Sequence, residues 1–178
     1  MFNRLTSLKS AVRGSLVIFS ERLKEHFRRW CVLYAVVAAA ALMLHHCFGL
    51  GVNVTDSLPH TLYLIHKGEP IHRGDFIAFR WHGGGPYPAG VTFIKIAAGM
   101  PGDTVSRIDR AYYVNDAYVG TAKTRARNGQ PLALMATGVL GADEYYVSAP
   151  HPDSLDSRYR LTGWISSSDF LGRAYALF

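Results

Sequence analysis

Two residues of this 178-residue chain have side chains and surroundings suited to covalent chemistry. Ser57 lies in the segment NVTDSLPHTLYLI, residues 53–65, and Lys95 lies in FIKIAAGMPGD, residues 93–103. A serine hydroxyl is a weak nucleophile unless an adjacent base takes its proton. Lys95 has apolar neighbours, and burial among them would lower its pKa and keep its amine uncharged. The pair predicts an acyl-transfer enzyme with Ser57 as nucleophile and Lys95 as base.

The residues around Ser57 predict how an oxyanion would be held. If this stretch is extended, Thr55 and Ser57 lie on the same face, because side chains alternate along a strand. The Thr55 hydroxyl and the Ser57 amide would then bind the oxyanion of the reacting carbonyl. Pro59 stiffens the segment just after the nucleophile.

A polar segment near the C-terminus, DSLDSR at residues 153–158, predicts support for the same site. Ser154 would hydrogen-bond the Lys95 amine and orient it, while Asp156 and Arg158 would pair and brace the wall of the site. A solvated surface loop with one Asp–Arg pair is the alternative interpretation of these residues.

The positive charge of the chain is concentrated at its N-terminus. The formal net charge is +6, and residues 1–29 contain seven Lys/Arg and two Glu, which accounts for five of these charges. An uncharged, mostly apolar segment follows at residues 30–50 and is long enough to cross a bilayer. The positive-inside rule predicts a cytoplasmic basic arm, a single transmembrane anchor and an exported domain at 51–178. In a bacterium this means the inner membrane and the periplasm, with the lipid bilayer as a partner and no nucleic acid.

Two other interpretations of the apolar segment are weaker. A buried core helix is one, but Arg28 and Arg29 followed by an interfacial Trp30 favour entry into a membrane. A cleaved signal peptide would have a basic region of about 29 residues before its apolar region, which is unusually long.

The cysteines and histidines of the chain predict neither a disulfide framework nor a bound metal. Cys31 and Cys47 lie in or beside the apolar segment, and residues 51–178 contain no cysteine. The five histidines of that domain lack metal-ligand spacing, so no cofactor is expected. A Ser-His-Asp triad that uses His60 or His151 remains open.

The exported domain has the pattern of a mostly β fold. Short apolar runs alternate with Gly- and Pro-rich turns. The turn Asn115-Asp116 predicts a tight hairpin. The expected strands are Thr61–His66, Asp75–Trp81, Thr92–Ala98, Thr104–Ile108, Ala111–Val114, Tyr118–Val119, Glu144–Ser148 and Arg173–Phe178.

The motifs, taken in order, resemble those of the type I signal peptidase family. The resemblance covers roughly residues 52–178 and depends on the serine segment, RGDFIAF at 73–79, PGD at 101–103, the hairpin at 114–116 and SLDSR at 154–158. It implies an antiparallel β-sheet domain behind a single transmembrane helix, with a Ser/Lys serine endopeptidase activity.

The serine segment differs from the general leader peptidase form, because Pro59 stands two residues after Ser57. The pattern N-x-T-x-S-x-P-x-x-x-Y is more similar to the TraF branch, the conjugative-transfer pilin peptidases, although that branch usually has Gly where Thr61 stands. The last segment also departs from the family form, with Pro-His-Pro-Asp at 150–153.

This branch implies removal of a leader or terminal segment from a membrane-bound propilin, with pilus assembly proteins as partners. Water or the pilin's own amine would resolve the acyl-enzyme, and the amine would give a cyclic product. The alternatives are a general leader peptidase for secreted preproteins and a non-catalytic β-domain of an envelope complex.

Overall fold

The computed structural model describes the backbone of residues 2–178 and the side chains of residues 19–178. The side chains of the first 18 residues of the predicted basic arm therefore lie outside the described residues. The chain divides into two compact units, Met1–His45 and His46–Phe178.

The first unit contains one long helix, α1 at Phe2–Cys47, whose last two residues belong to the second unit. Its segment Phe19–Cys47 is long and apolar enough to cross a membrane. Large apolar side chains of this segment, such as Val32 and Leu42, are exposed. Exposed apolar surface of this extent is typical of contact with lipid.

The helix ends at Cys47, and the next residue begins a strand. Residues 48–50, which the sequence analysis included in the anchor, belong to β1 at Phe48–Val52. Glycine is a poor helix former, and Gly49 and Gly51 alternate along this strand. Gly51 faces Ile65 and Ile94 so closely that a Cβ there would lie 2.7 Å from Ile94 Cδ1. Gly51 thus lets the strand lie against the core.

The second unit contains two antiparallel sheets, so the predicted mostly β fold is confirmed. The larger sheet has seven strands in the order β1-β2-β11-β3-β4-β9-β10. Its members after β1 are β2 Leu62–His66, β3 Phe76–Arg80, β4 Thr92–Gly99, β9 Glu144–Ser148, β10 Ile165–Ser166 and β11 Phe170–Ala176.

The smaller sheet has the order β7-β6-β5-β8. Its strands are β5 Thr104–Ile108, β6 Ala111–Val114, β7 Ala117–Thr121 and β8 Gly138–Val139. Asn115 and Asp116 connect β6 and β7 with φ angles of 45° and 67°. Asn and Asp tolerate this left-handed conformation, which suits a two-residue hairpin. The hairpin predicted from these two residues is confirmed.

Three strands were not predicted from the sequence: β1, β8 and β10. Residues 48–50 of β1 had been assigned to the apolar anchor. β8 and β10 are two residues long, which is too short to show an alternating pattern.

The central strands of the larger sheet have both faces covered. Ala78 and Ile94 pack on one face, whereas Ile77 and Phe79 pack on the other. Lys95 pairs with Ile77 and therefore lies on the same face as that residue. Its position in the middle of a covered sheet buries it.

The opposite end of this sheet, around β1, exposes apolar side chains. Leu50 and Val52 are 70% and 60% exposed. They pair with Leu64 and Leu62 of β2, so these four side chains lie on one face. This outer apolar face is unusual for a sheet edge in water.

Three of the motif segments meet at one carboxylate, that of Asp103. Its Oδ2 accepts hydrogen bonds from the Met100 amide and from Arg73 Nη2, both at 2.6 Å, and its Oδ1 accepts from Asn115 Nδ2 at 2.6 Å. Arg73 Nη1 also donates to the Ala98 carbonyl at 2.7 Å. The RGD, PGD and hairpin segments thus join the two sheets.

We expect Asp103→Asn to lower the free energy of unfolding by about 1–3 kcal/mol at pH 7, because it weakens charge-assisted hydrogen bonds. Burial raises the pKa of Asp103, but the hydrogen bonds from Met100, Arg73 and Asn115 outweigh burial and lower it. The stabilisation is therefore complete above the unfolded-state pKa, about 4, and is lost as the pH falls through the lower folded-state pKa.

Denaturant unfolding of the full chain in detergent at several pH values tests this expectation. Asp109→Asn is the matched control, because Asp109 is an exposed aspartate in a neighbouring turn. Equal stability of the two variants at pH 7 would contradict the role of the Asp103 carboxylate.

Candidate active site

The serine segment forms a turn between β1 and β2, and the extended conformation assumed from the sequence is wrong. The side chain of Asn53 holds this turn. Its Nδ2 donates to the Leu58 and His60 carbonyls at 3.3 and 3.2 Å, and its Oδ1 accepts from the Thr55 amide at 3.3 Å. Such side-chain bonds to nearby backbone groups compete with strand pairing.

Thr55 and Ser57 are brought together by this turn. The Thr55 Oγ1 atom lies 2.9 Å from Ser57 Oγ and 2.9 Å from Asn53 Oδ1. Ser57 is buried, although it faces a cavity. The neighbouring Leu58 packs in the core, 5% exposed, and anchors the turn. The serine hydroxyl thus has a defined position next to a second hydroxyl.

Lys95 lies in the middle of β4 and is 5% exposed. Its Nζ is 5.7 Å from the centroid of the Phe93 ring. Burial lowers the pKa of the Lys95 amine to about 8. The carboxylate of Asp156 acts in the opposite direction, and the charge of Arg158 lowers the pKa further. At neutral pH this amine loses its proton far more readily than an exposed lysine.

Asp156 and Arg158 form a buried ion pair. Arg158 Nε lies 2.8 Å from Asp156 Oδ1, and Arg158 Nη2 lies 2.8 Å from Asp156 Oδ2. Arg158 Nη1 donates to the Thr121 carbonyl at 2.9 Å. An ion pair between Asp156 and Lys95 would hold the lysine charged. Asp156 does not form one, because Arg158 occupies its carboxylate.

The two serines of the same segment differ in their contacts. Ser157 Oγ accepts a hydrogen bond from the Val147 amide at 3.0 Å, which fastens the segment to β9. Ser154 is 4% exposed, and its Oγ has no hydrogen-bond partner among the residues whose side chains are described. Most buried polar side-chain atoms have a hydrogen-bond partner, so an unpaired Ser154 hydroxyl calls for an explanation.

One cavity of about 500 Å³ brings these groups together. Thr55, Ser57, Lys95 and Ser154 all line it. Among residues 19–178, Ser57 Oγ bonds to Thr55, and no hydrogen bond joins it to Lys95 Nζ. Apolar side chains line much of the remaining wall, and they are Val52, Val54, Tyr87, Val91, Phe93, Ile94, Leu155 and Leu161.

The two histidines left open as triad members have different positions. His151 lines the cavity, but its Nδ1 accepts a hydrogen bond from the Asp153 amide at 3.1 Å. His60 is not among the lining residues of the described cavity and packs edge-on against Tyr63 and Phe76. Neither histidine has a hydrogen bond to Ser57 within residues 19–178, so Lys95 is the better placed base.

Sequence reasoning missed two parts of this site. Asn53 was part of the N-x-T-x-S pattern, but its role in holding the serine turn was not predicted. An Asn followed closely by Thr and Ser is nevertheless a recognisable turn signal. Sequence reasoning also did not identify the segment 123–132, whose basic side chains line the cavity. Polar loop composition alone gave no signal that this segment folds over the site.

A match to a known sequence family shows which family this chain belongs to. The family described as "Signal peptidase, peptidase S26" matches residues 23–178, which is most of the chain. The chain belongs to the signal peptidase S26 family. This is a family of serine peptidases, and membership indicates leader peptidase activity at a membrane.

The chain is also similar to a solved structure, that of signal peptidase I from Enterococcus faecalis V583. The identity is 24%, the match covers 62% of this chain and 98% of the other, and the TM-score is 0.40. The search of curated proteins found no significant match.

Proposed function

We propose that this S26 peptidase cleaves its substrate with Ser57 as nucleophile and Lys95 as general base. The observation that carries the proposal is a cavity lined by both a serine hydroxyl and a buried lysine amine with a pKa of about 8. An amine of this pKa is partly neutral at physiological pH, as a general base must be.

The reaction follows from these groups. The neutral Lys95 amine takes the Ser57 proton as Oγ attacks the scissile carbonyl, and the Ser57 amide and Thr55 hydroxyl hold the oxyanion. The resulting ammonium returns the proton to the leaving amine as the peptide C–N bond breaks, which leaves an ester on Ser57. Water then attacks the ester and Lys95 takes a proton from it; the Ser57 C–O bond breaks as Lys95 returns this proton to Oγ, and the acid product leaves.

The hydroxyl must turn from Thr55 toward Lys95 for this step. A change of the Ser57 χ1 rotamer moves Oγ without moving the backbone, and catalytic hydrogen bonds commonly tighten only when substrate binds. Thr55 Oγ1 would then be released to the oxyanion.

Ser154, Asp156 and Arg158 support the base in this proposal. The unpaired Ser154 hydroxyl lies in the same cavity as Lys95 and would accept a hydrogen bond from its amine. The buried Asp156–Arg158 pair holds the segment that carries Ser154. These three residues position Lys95 and do not react themselves.

We propose a membrane-bound propilin as substrate, in a conjugative pilus system. The support is the serine segment, in which Pro59 and Tyr63 follow Ser57 with the spacing of the TraF branch. The basic residues before the apolar helix favour a cytoplasmic N-terminus and a periplasmic peptidase domain in the bacterial inner membrane. The acyl-enzyme would be resolved by water or by the pilin amine, and the second route gives a cyclic pilin.

Mass spectrometry of the products tests this function. The full-length enzyme in lipid vesicles would be given a propilin or a secreted preprotein, with Ser57→Ala enzyme as the blank. We expect cleavage of the propilin, and a cyclic product would be lighter than the linear one by one water. Preference for the secreted preprotein would support a general leader peptidase, and cleavage of neither would favour a non-catalytic β-domain.

A further inference from the structure

One wall of the cavity is a basic hairpin formed by residues 123–132. The Leu132 amide donates to the Thr124 carbonyl at 2.9 Å, and the Ala126 amide donates to the Gln130 carbonyl at 2.9 Å. A β-bridge pairs Arg125 with Pro131. These bonds give the segment a defined backbone, and three cationic side chains from it line the cavity: Lys123, Arg125 and Arg127.

Two of these cations have their charge compensated by Asp153. Lys123 Nζ forms an ion pair with Asp153 Oδ1, and Arg127 Nε lies 3.0 Å from Asp153 Oδ2. Asp153 immediately precedes Ser154, so the hairpin is fastened to the segment that reaches the reactive groups. Both oxygens of this carboxylate are occupied, and the hairpin is held by charge at the cavity rim.

Arg125 is the cation left without an acidic partner among residues 19–178. Its Nη1 donates to the Gly129 carbonyl at 2.9 Å, which limits the motion of the guanidinium and leaves its other N–H groups available. Asp56 is the other acidic lining residue, and it forms no ion pair with Arg125. A held guanidinium with available donors is suited to bind a carboxylate with two parallel hydrogen bonds.

We infer that Arg125 is a specificity-determining residue that binds a carboxylate of the peptide substrate, either an acidic side chain near the scissile bond or, when the removed segment is at the C-terminus, the C-terminal carboxylate of that segment. The inference depends on the proposed peptidase function, because the carboxylate must belong to a chain lying in the cavity. Arg125 acts on substrate binding and not on the proton transfers, which belong to Ser57 and Lys95.

Peptide substrates that differ only in charge test the inference with full-length enzyme in lipid vesicles. The series has Glu or Gln at each position beside the cut, and a C-terminal acid or amide. For the preferred carboxylate peptide we expect Arg125→Gln to raise KM at least about 10-fold, which is the effect of losing one of the two charge-assisted hydrogen bonds, with little change in kcat. If KM depends on the Glu or Gln beside the cut, Arg125 binds an acidic side chain. If KM depends on the C-terminal acid or amide, Arg125 binds the C-terminal carboxylate.

Arg107→Gln is the matched control. Arg107 is also exposed and bonds through Nη1 to the carbonyl of a nearby turn residue, Asp109, but it does not line the cavity. We expect this variant to leave KM unchanged, whereas Arg125→Glu should favour a lysine-containing peptide over the acidic one.

The outcomes separate this inference from the function it depends on. If the native enzyme cleaves all peptides with equal KM, or if Arg125→Gln alters acidic and neutral peptides alike, the inference is overturned and the peptidase function stands. If Ser57-dependent cleavage is absent for every peptide and for the propilin, both are overturned.

Discussion

The Ser57→Ala enzyme is expected to cleave its substrate at least about 10,000-fold more slowly than the native enzyme, as removal of a serine nucleophile does in other serine peptidases. The reason is that no other nucleophile replaces the hydroxyl. The described cavity lining contains no cysteine, Thr55 is held by Asn53 in the turn, and Ser154 has the separate role of positioning the Lys95 amine in the proposed mechanism. Rates of propilin cleavage in lipid vesicles, measured by mass spectrometry, give the comparison.

The variant should remain folded, which makes the result interpretable. Ser57 Oγ bonds only to Thr55 among the described side chains, and the turn is held by Asn53 and Leu58. We expect its melting temperature to match that of Ser106→Ala, an exposed serine of β5 outside the cavity. Ser106→Ala should keep full activity. Normal cleavage by Ser57→Ala would rule out the assigned nucleophile.

Lys95→Arg is expected to lose about 1,000-fold or more in kcat/KM, although it keeps the positive charge. Arginine remains protonated at any working pH and cannot accept the Ser57 proton. The native enzyme should respond to pH through the same group. Because burial lowers the pKa of Lys95 to about 8, activity should rise as the pH increases through this value and level off above it.

The pH at which activity levels off distinguishes a lysine base from a histidine base. At pH 7 only about one amine in ten is neutral if the pKa is about 8, so activity should fall about tenfold for each unit of pH below the pKa. A histidine base would level off near its own pKa, about 6.5. A plateau from pH 7 upward would therefore contradict the role of Lys95.

Lys67→Arg is the matched control for position 95. Lys67 is exposed and does not line the cavity, so arginine there should leave both the rate and its pH profile unchanged. Comparable losses in both variants would point to a general effect of arginine on folding or membrane insertion.

The burial of Lys95 could be predicted from the sequence, whereas the shape of the serine turn could not. Lysine between isoleucines and next to alanines has few conformations in which it reaches water, and β4 forms where it was expected. The turn depends instead on where the Asn53 amide points, a choice between local hydrogen bonds and strand pairing that spacing does not reveal.

Contacts between distant segments account for most of what sequence reasoning missed. The PGD motif was recognisable, but its role in joining the sheets depends on two contacts of Asp103. One is with Arg73, 30 residues earlier in the chain, and the other is with Asn115 in the β6–β7 hairpin. The basic hairpin similarly depends on ion pairs with Asp153, 26 residues or more along the chain. Such pairings are set by the tertiary fold, and a single sequence contains no record of them.

The start of β1 immediately after the helix limits how the peptidase can be separated from its anchor. A chain shortened to begin at residue 51, the predicted domain start, would lose most of β1 and leave the backbone groups of β2 without their partners. A cut before Phe48 would preserve the sheet, and with it the exposed apolar side chains of Leu50 and Val52. A shortened peptidase should therefore require detergent to stay monodisperse, even when it begins at the correct residue.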